Sequence, residues 1–263
     1  MGIDDFLDRE VGGEYRELLE RAKQSSAQLG RLKRAFREGD IEQAERILER
    51  LKVISEKQQN TATGLREKLL AYDVTAYLRE DFHESFVTAC QEEDLPITGN
   101  FPMYEVFPFR VRIYPERQLI EVDSRQLHLL RPRALCDYLK HARNQLYRER
   151  FNAVSFLDAL ARAYDNILAL RHVSYGSVQK DLDVPLLELY QHLTPLPAQR
   201  RAYSRNMFAF DLHRLFVADA FTASDGRKLV LGAVKNQRHA LLVYDNHGRH
   251  WFFGSARFMR EEL

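Results

Sequence analysis

The chain has 263 residues, with 39 Lys and Arg against 38 Asp and Glu for a formal charge of +1, and it is 45% hydrophobic and 29% charged. These proportions are those of a globular protein and exclude a disordered tail, a collagen-like fibre and, with only two cysteines, a disulfide scaffold. The near-neutrality is a cancellation: the first 100 residues carry 15 basic and 21 acidic side chains, the remainder 24 and 17, and 20 of those 24 are Arg. An acidic part joined to an Arg-rich part predicts an interaction module linked to one that meets an anionic partner, because guanidinium groups suit phosphate.

The start of the chain, with Asp4, Asp5 and Phe6, is acidic and has no apolar run behind it. It predicts no signal peptide, and Phe6 stands where myristoylation needs Ser or Thr. No run approaches the roughly 18 apolar residues of a membrane span. The expectation is a cytoplasmic chain with no membrane partner, in which Cys90 and Cys136 are buried thiols.

Residues 14–38 place Tyr15, Leu18, Ala22, Ser25, Leu29, Leu32 and Phe36 at alternating steps of three and four. That is the a/d rhythm of a helix facing another helix. Gly39 predicts a left-handed helix terminus, and Asp40, with Gln43 three residues on, the N-cap of a second helix. The second helix repeats the rhythm through Ile41, Ala44, Leu48, Leu51, Ser55, Gln58, Ala62, Leu65, Leu69, Tyr72 and Ala76. Two such helices joined by so tight a turn predict an antiparallel hairpin. The poor helix formers at 60–64 leave two courses open: a break followed by a third helix over 65–93, or one long helix with a seam free for another chain. Tyr15, Leu18, Leu29, Leu32, Leu48, Leu51, Leu65 and Leu69 are the candidate protein-interaction residues, for a protein partner or a second copy. Pro96, Gly99 and Asn100 read as a connector, which divides the chain into a helical assembly module at 1–97 and an Arg-rich α+β domain at 98–263.

Phe107, Phe109, Val111 and Ile113 alternate with polar residues in the period of a half-buried strand, and Ile120 and Val122 return after a Pro115 turn. Pro132 opens a helix through Leu146, a second covers 155–172, Pro185 opens a short third, and Ser204 caps a fourth through 216. Strands at 228–234, 239–245 and 250–253, with turns at 235–238 and 246–249, predict a C-terminal antiparallel meander. The whole is α+β, not alternating βαβ units.

Chemistry-bearing motifs are sparse. No Gly-x-Gly pair, P-loop or Gly-x-Ser-x-Gly elbow occurs, and paired cysteines at zinc spacing are missing. No cofactor or metal is expected, and a non-enzymatic role follows. The alternative, a metal-dependent hydrolase or nuclease, requires Asp211, His213, Asp225 and His250 to converge, or Asp225, Asp245 and Lys235 to do so. Residues 110–150 carry ten Lys and Arg against five Asp and Glu. Arg110, Arg112, Arg133, Lys140 and Arg143, with Arg200, Arg201 and Arg205 around the Ser204 helix, are therefore the candidate phosphate contacts to DNA or RNA. The helix–turn–helix–strand order after Pro185 echoes a winged helix, with 204–216 as the groove-reading helix. A structural protein–protein adaptor without nucleic-acid binding is the competing reading.

Overall fold

The computed structural model describes residues 2–175, 182–234, 239–245 and 249–260. The protein is α+β, as the patterning predicts, and its chain forms two compact units. The first comprises Met1–Leu95, Gly99–Tyr104 and Val111–Tyr138; the second comprises Pro96–Thr98, Glu105–Arg110 and Leu139–Leu263.

In the first unit a short turn of helix, α1 (Ile3–Asp5), precedes the two longest helices, α2 (Gly12–Glu38) and α3 (Ile41–Ala71). The turn between them forms as its residues dictate. Gly39 takes φ 72°, and the Asp40 carboxylate accepts a hydrogen bond from Gln43 N at 2.9 Å, satisfying an orphan helix-start donor. The 31 residues of α3 run without a break through 60–64. Thr61 and Thr63 accommodate this by donating their hydroxyls to the Lys57 and Gln59 carbonyls. Asp73 caps α4 (Val74–Glu80), and α5 (Phe82–Glu92) follows. Their apolar faces build a chain of rings from Phe6, stacked on Tyr72 with centroids 4.1 Å apart, through Tyr77, Phe82 and Phe86 to Tyr104. Cys90 and Cys136 are fully buried free thiols with their sulfurs 3.4 Å apart.

Five strands then follow one another in a sheet of order β1 (Ile97–Asn100), β2 (Met103–Val106), β3 (Phe109–Tyr114), β4 (Leu119–Val122) and β5 (Arg125–Leu127). The expected hairpin is β3–β4, with Val111 opposite Val122 and Ile113 opposite Ile120, closed by a 3-10 turn at Pro115–Arg117.

α6 (Pro132–Arg148) begins in the first unit's share of the chain and ends in the second's. The second unit continues with α7 (Ala153–Tyr175), β6 (Val184–Pro185), α8 (Leu186–Leu193), α9 (Pro197–Ala202) and α10 (Arg205–Val217). Last come β7 (Arg227–Ala233), β8 (Leu241–Tyr244) and β9 (His250–Arg260). Ser204 caps α10 by accepting from Met207 N at 3.2 Å. The C-terminal strands are antiparallel, but the longest, β9, lies at the centre, pairing with β7, β8 and β6. The expected turn at 235–238, and residues 246–248 of the one expected at 246–249, lie outside the described residues. One core serves this unit, drawn from α7, α8, α10 and the β7–β9 sheet.

Helix α10 is the centre of that core. Phe208, Ala209, Phe210, Leu212, His213 and Leu215 are all buried. A groove-reading helix needs a free face, so this burial overturns the winged-helix expectation for 204–216.

Candidate interaction surface

The inward seam of the α2–α3 hairpin is offset by one residue from the column through Tyr15, Ala22, Leu29 and Phe36. On α2 the covered positions are Glu14, Leu18, Arg21, Ser25, Gln28, Leu32 and Ala35. On α3 they are Ala44, Ile47, Leu51, Ile54, Gln58, Thr61 and Leu65. Both sets step by three and four, so they are the a and d columns. The buried apolar cluster lies at the end near the turn, where Leu32, Ala35, Ala44 and Ile47 pack with Leu51 against them; beyond it Leu18, Ile54 and Leu65 are interspersed with polar residues. Farther along, Arg21 donates to Thr61 Oγ1 at 3.1 Å, Lys68 pairs with Glu14 at 2.8 Å, and Gln28 Oε1 is buried without a hydrogen-bond partner.

The candidate interaction residues divide accordingly. Leu18, Leu32, Leu51 and Leu65 turn inward, while Tyr15, Leu29, Leu48 and Leu69 are exposed. The exposed ones belong to stripes at every seventh residue: Tyr15, Ala22, Leu29 and Phe36 on α2, and Ile41, Leu48, Ser55, Ala62 and Leu69 on α3. Each stripe occupies the position just after d. A two-fold relating antiparallel helices keeps each flank on its own side, so both stripes fall on one flank of the hairpin. Phe36 is 65% exposed and Ile41 81%. The opposite flank carries Glu17, Gln24, Arg31 and Glu38 with Gln43, Arg50 and Lys57. One side of the hairpin is apolar and the other charged.

At the end away from the turn, the apolar flank runs into a groove of about 620 Å³. Leu7, Val11, Gly12, Tyr15, Leu65 and Leu69 line it, and Asp8, Arg16 and Arg131 stand at its edge. Arg131 is held there by Asp4 at 2.6 Å and Asp8 at 2.9 Å.

The candidate phosphate contacts are distributed over both units. Arg112 and Arg133 belong to the first, and Arg110, Lys140, Arg143, Arg200, Arg201 and Arg205 to the second. Several are engaged within the chain. Arg110 pairs with Glu105 at 2.9 Å and Arg133 with Glu92 at 3.0 Å. Arg200 donates to the Thr194 and Pro195 carbonyls. Arg112 lies over the Tyr114 ring, 5.6 Å from its centroid, and Arg117 lies 5.9 Å from the same ring.

Of the groups named for metal chemistry, Asp211, His213, Asp225 and Asp245 have other partners, and Lys235 lies outside the described residues. Asp211 accepts from Tyr203 Oη at 2.6 Å and from Arg214 at 3.4 Å, and burial raises its carboxyl pKa. Arg214 also donates to the Leu146 and Glu149 carbonyls at the end of α6, meeting the orphan acceptors of a helix terminus. His213 Nδ1 lies 2.7 Å from the Tyr244 carbonyl, which can only accept, so the ring carries its proton there and Nε2 accepts from Tyr147 Oη at 2.7 Å. Asp225 accepts from Arg227, and Asp245 accepts from Arg249 and from the Trp251 indole. Among the described residues no three His, Cys, Asp or Glu side chains gather in a way that would hold a metal ion. Among those residues, too, no helix is long and apolar enough to cross a membrane.

The fold and this surface define an α+β chain whose helical hairpin exposes an apolar flank. Compared with family models, curated proteins and solved structures, the chain matches none.

Proposed function

We propose that this chain is an assembly subunit that docks through the apolar flank of its α2–α3 hairpin onto a helical surface. The observation that carries the reading is the coincidence of two seven-residue apolar stripes on one flank while the other flank is charged. Covering a Leu, Ile or Phe side chain returns about 1.5–3 kcal/mol. The hairpin's own seam is polar over much of its length, so the free energy available to it lies largely in what covers the flank. The test is the elution of the full chain in lysate of the cells that make it, beside the double variant Leu29→Glu/Leu48→Glu. The wild type elutes as part of a larger species and the variant as the free chain; identical elution overturns the reading.

A second reading, contact with nucleic-acid phosphates, is favoured by one observation, the two guanidinium groups over the Tyr114 ring. Fluorescence anisotropy with single-stranded oligonucleotides tests it, with Arg112→Ala lowering both the affinity and the salt slope. Absence of binding at about 50 mM salt, or binding insensitive to salt, overturns it.

A further inference from the structure

We propose that the occupant of the hairpin flank is the same flank of a second copy, packed antiparallel as a four-helix bundle with the turn end of each hairpin seated in the groove of the other. The inference rests on the docking reading above and names its partner.

The flank is built in three zones. At the turn end Phe36, Ile41, Leu29 and Leu48 project as bulky apolar side chains. In the middle the residues are small: Ala22 and Ser26 on α2, Ser55 on α3. At the far end lies the groove of about 620 Å³, within the range of clefts that enclose a drug-sized molecule and so roomy enough for two large side chains. Convex, flat and concave zones therefore follow one another along a single surface.

A two-fold interface presents the same patch from both partners, so every projection must meet a hollow at an equal distance from the axis. Phe36 and Gly12 bracket the flank on α2, and the midpoint between them is residue 24, roughly 18 Å from each at 1.5 Å per residue. The axis then falls between Ala22 and Ser26, where small side chains let two helices approach closely. Rotation about that axis carries Phe36 and Ile41 of one copy onto Tyr15, Leu69 and the groove of the other. A parallel pairing instead opposes bulk to bulk at the turn end and leaves both grooves open.

The size agrees. A flank about 36 Å long and two helices, roughly 20 Å, wide offers about 700 Å² from each copy. A stable protein–protein interface takes about 800 Å² per partner. The side chains supplied at the contact are those of a bundle core, at seven-residue spacing beside the a and d columns.

The test uses the full chain. Sedimentation equilibrium between about 1 and 100 µM gives a species of twice 30.9 kDa, and Ile41→Glu weakens the association at least about 100-fold. Ile41 is 81% exposed, so circular dichroism and the melting temperature of the variant at low concentration stay those of the wild-type monomer. Orientation is read from single-cysteine additions at exposed positions that the two-fold brings level: Glu45→Cys mixed with Arg66→Cys forms an intermolecular disulfide on oxidation, whereas Glu45→Cys alone does not. A wild-type chain that stays monomeric at about 100 µM overturns the proposal. So does an Ile41→Glu chain that dimerises normally, or a Glu45→Cys chain that cross-links to itself in preference to Arg66→Cys. If the purified chain is monomeric while Leu29→Glu/Leu48→Glu still changes elution in lysate, the occupant is another protein and the docking reading stands. If neither effect is seen, both fall.

Discussion

His213 is the residue at which burial and hydrogen bonding are most clearly opposed. Burial lowers its pKa, outweighing the Tyr244 carbonyl and Asp245, which favour the charged ring. An unfolded histidine titrates near 6.5, so between that pH and the lower folded value the unfolded chain holds the extra proton. The stability His213 contributes is complete above the unfolded pKa and is lost as the pH falls through it toward the folded value. Asp211 runs the other way: burial raises its carboxyl from 3.8, so its contribution is present at the acid end and lost as pH rises through the folded pKa. Urea unfolding at about pH 7.5 and about pH 5.5 isolates His213. The wild type loses more stability over that interval than His213→Phe, and at the upper pH the variant is weaker by about 1–3 kcal/mol, the cost of an unpaired Tyr244 carbonyl and Tyr147 hydroxyl. Equal pH slopes for the two proteins would refute the assignment. A second residue-level prediction concerns the thiols. Hydrogen bonding to Cys90 and then burial push the Cys136 thiol up, so little thiolate forms at neutral pH. Both cysteines are expected to react with a thiol reagent only as fast as the native chain opens, and immediate labelling of either in buffer would contradict the buried placement.

At the scale of elements, what is legible in the sequence is what is short-range. Gly39, Asp40 and Ser204 announce their turn and caps because each acts on a backbone group within a few residues. The alternation of Phe109, Val111 and Ile113 announces β3 for the same reason. The hairpin seam was only half legible. Apolar residues fill two neighbouring columns, and periodicity alone does not say which column faces inward; Glu14, Arg21 and Gln28 took inward places that a hydrophobic reading gives to Tyr15, Ala22 and Leu29. The sequence pattern ends the last strand at 253, where Gly254 and Ser255 follow, whereas ladder pairing to β7 carries β9 on to Arg260. Long-range bonds such as Tyr147 to His213, 66 residues apart, leave no spacing to read. The seam itself is open to test. Gln28 Oε1 is buried with no partner, so Gln28→Leu removes an unpaired acceptor and adds apolar burial beside Leu32, and thermal unfolding should show a gain of roughly 1 kcal/mol. A loss would mean that the glutamine is satisfied and that the polar seam is stabilising as it stands.

For the whole molecule, the acidic helical part and the second unit are held together in different ways. The acidic part contains many exposed ion pairs along its helices, such as Arg34 with Glu38 and Lys23 with Glu20, and pairs of this kind contribute little. The second unit rests on a shared apolar core with α10 buried on most sides. Stability is therefore uneven along the chain, and native-state hydrogen exchange reads that unevenness directly. Amides of α10 and of the paired part of β9 should exchange last, through opening of their whole unit. Those of α2 and α3 flanking the polar seam, around Arg21–Gln28 and Ser55–Thr61, should exchange earlier, because few apolar contacts oppose their separation. If the flank pairs as proposed, raising the protein concentration should slow exchange along α2 and α3, those two stretches included, while α10 and β9 remain unchanged. The Ile41→Glu chain should show no such concentration dependence. Uniform protection across both units, or slowing that spreads equally to α10, would mean that the hairpin is stabilised by its own seam and that nothing needs to cover it.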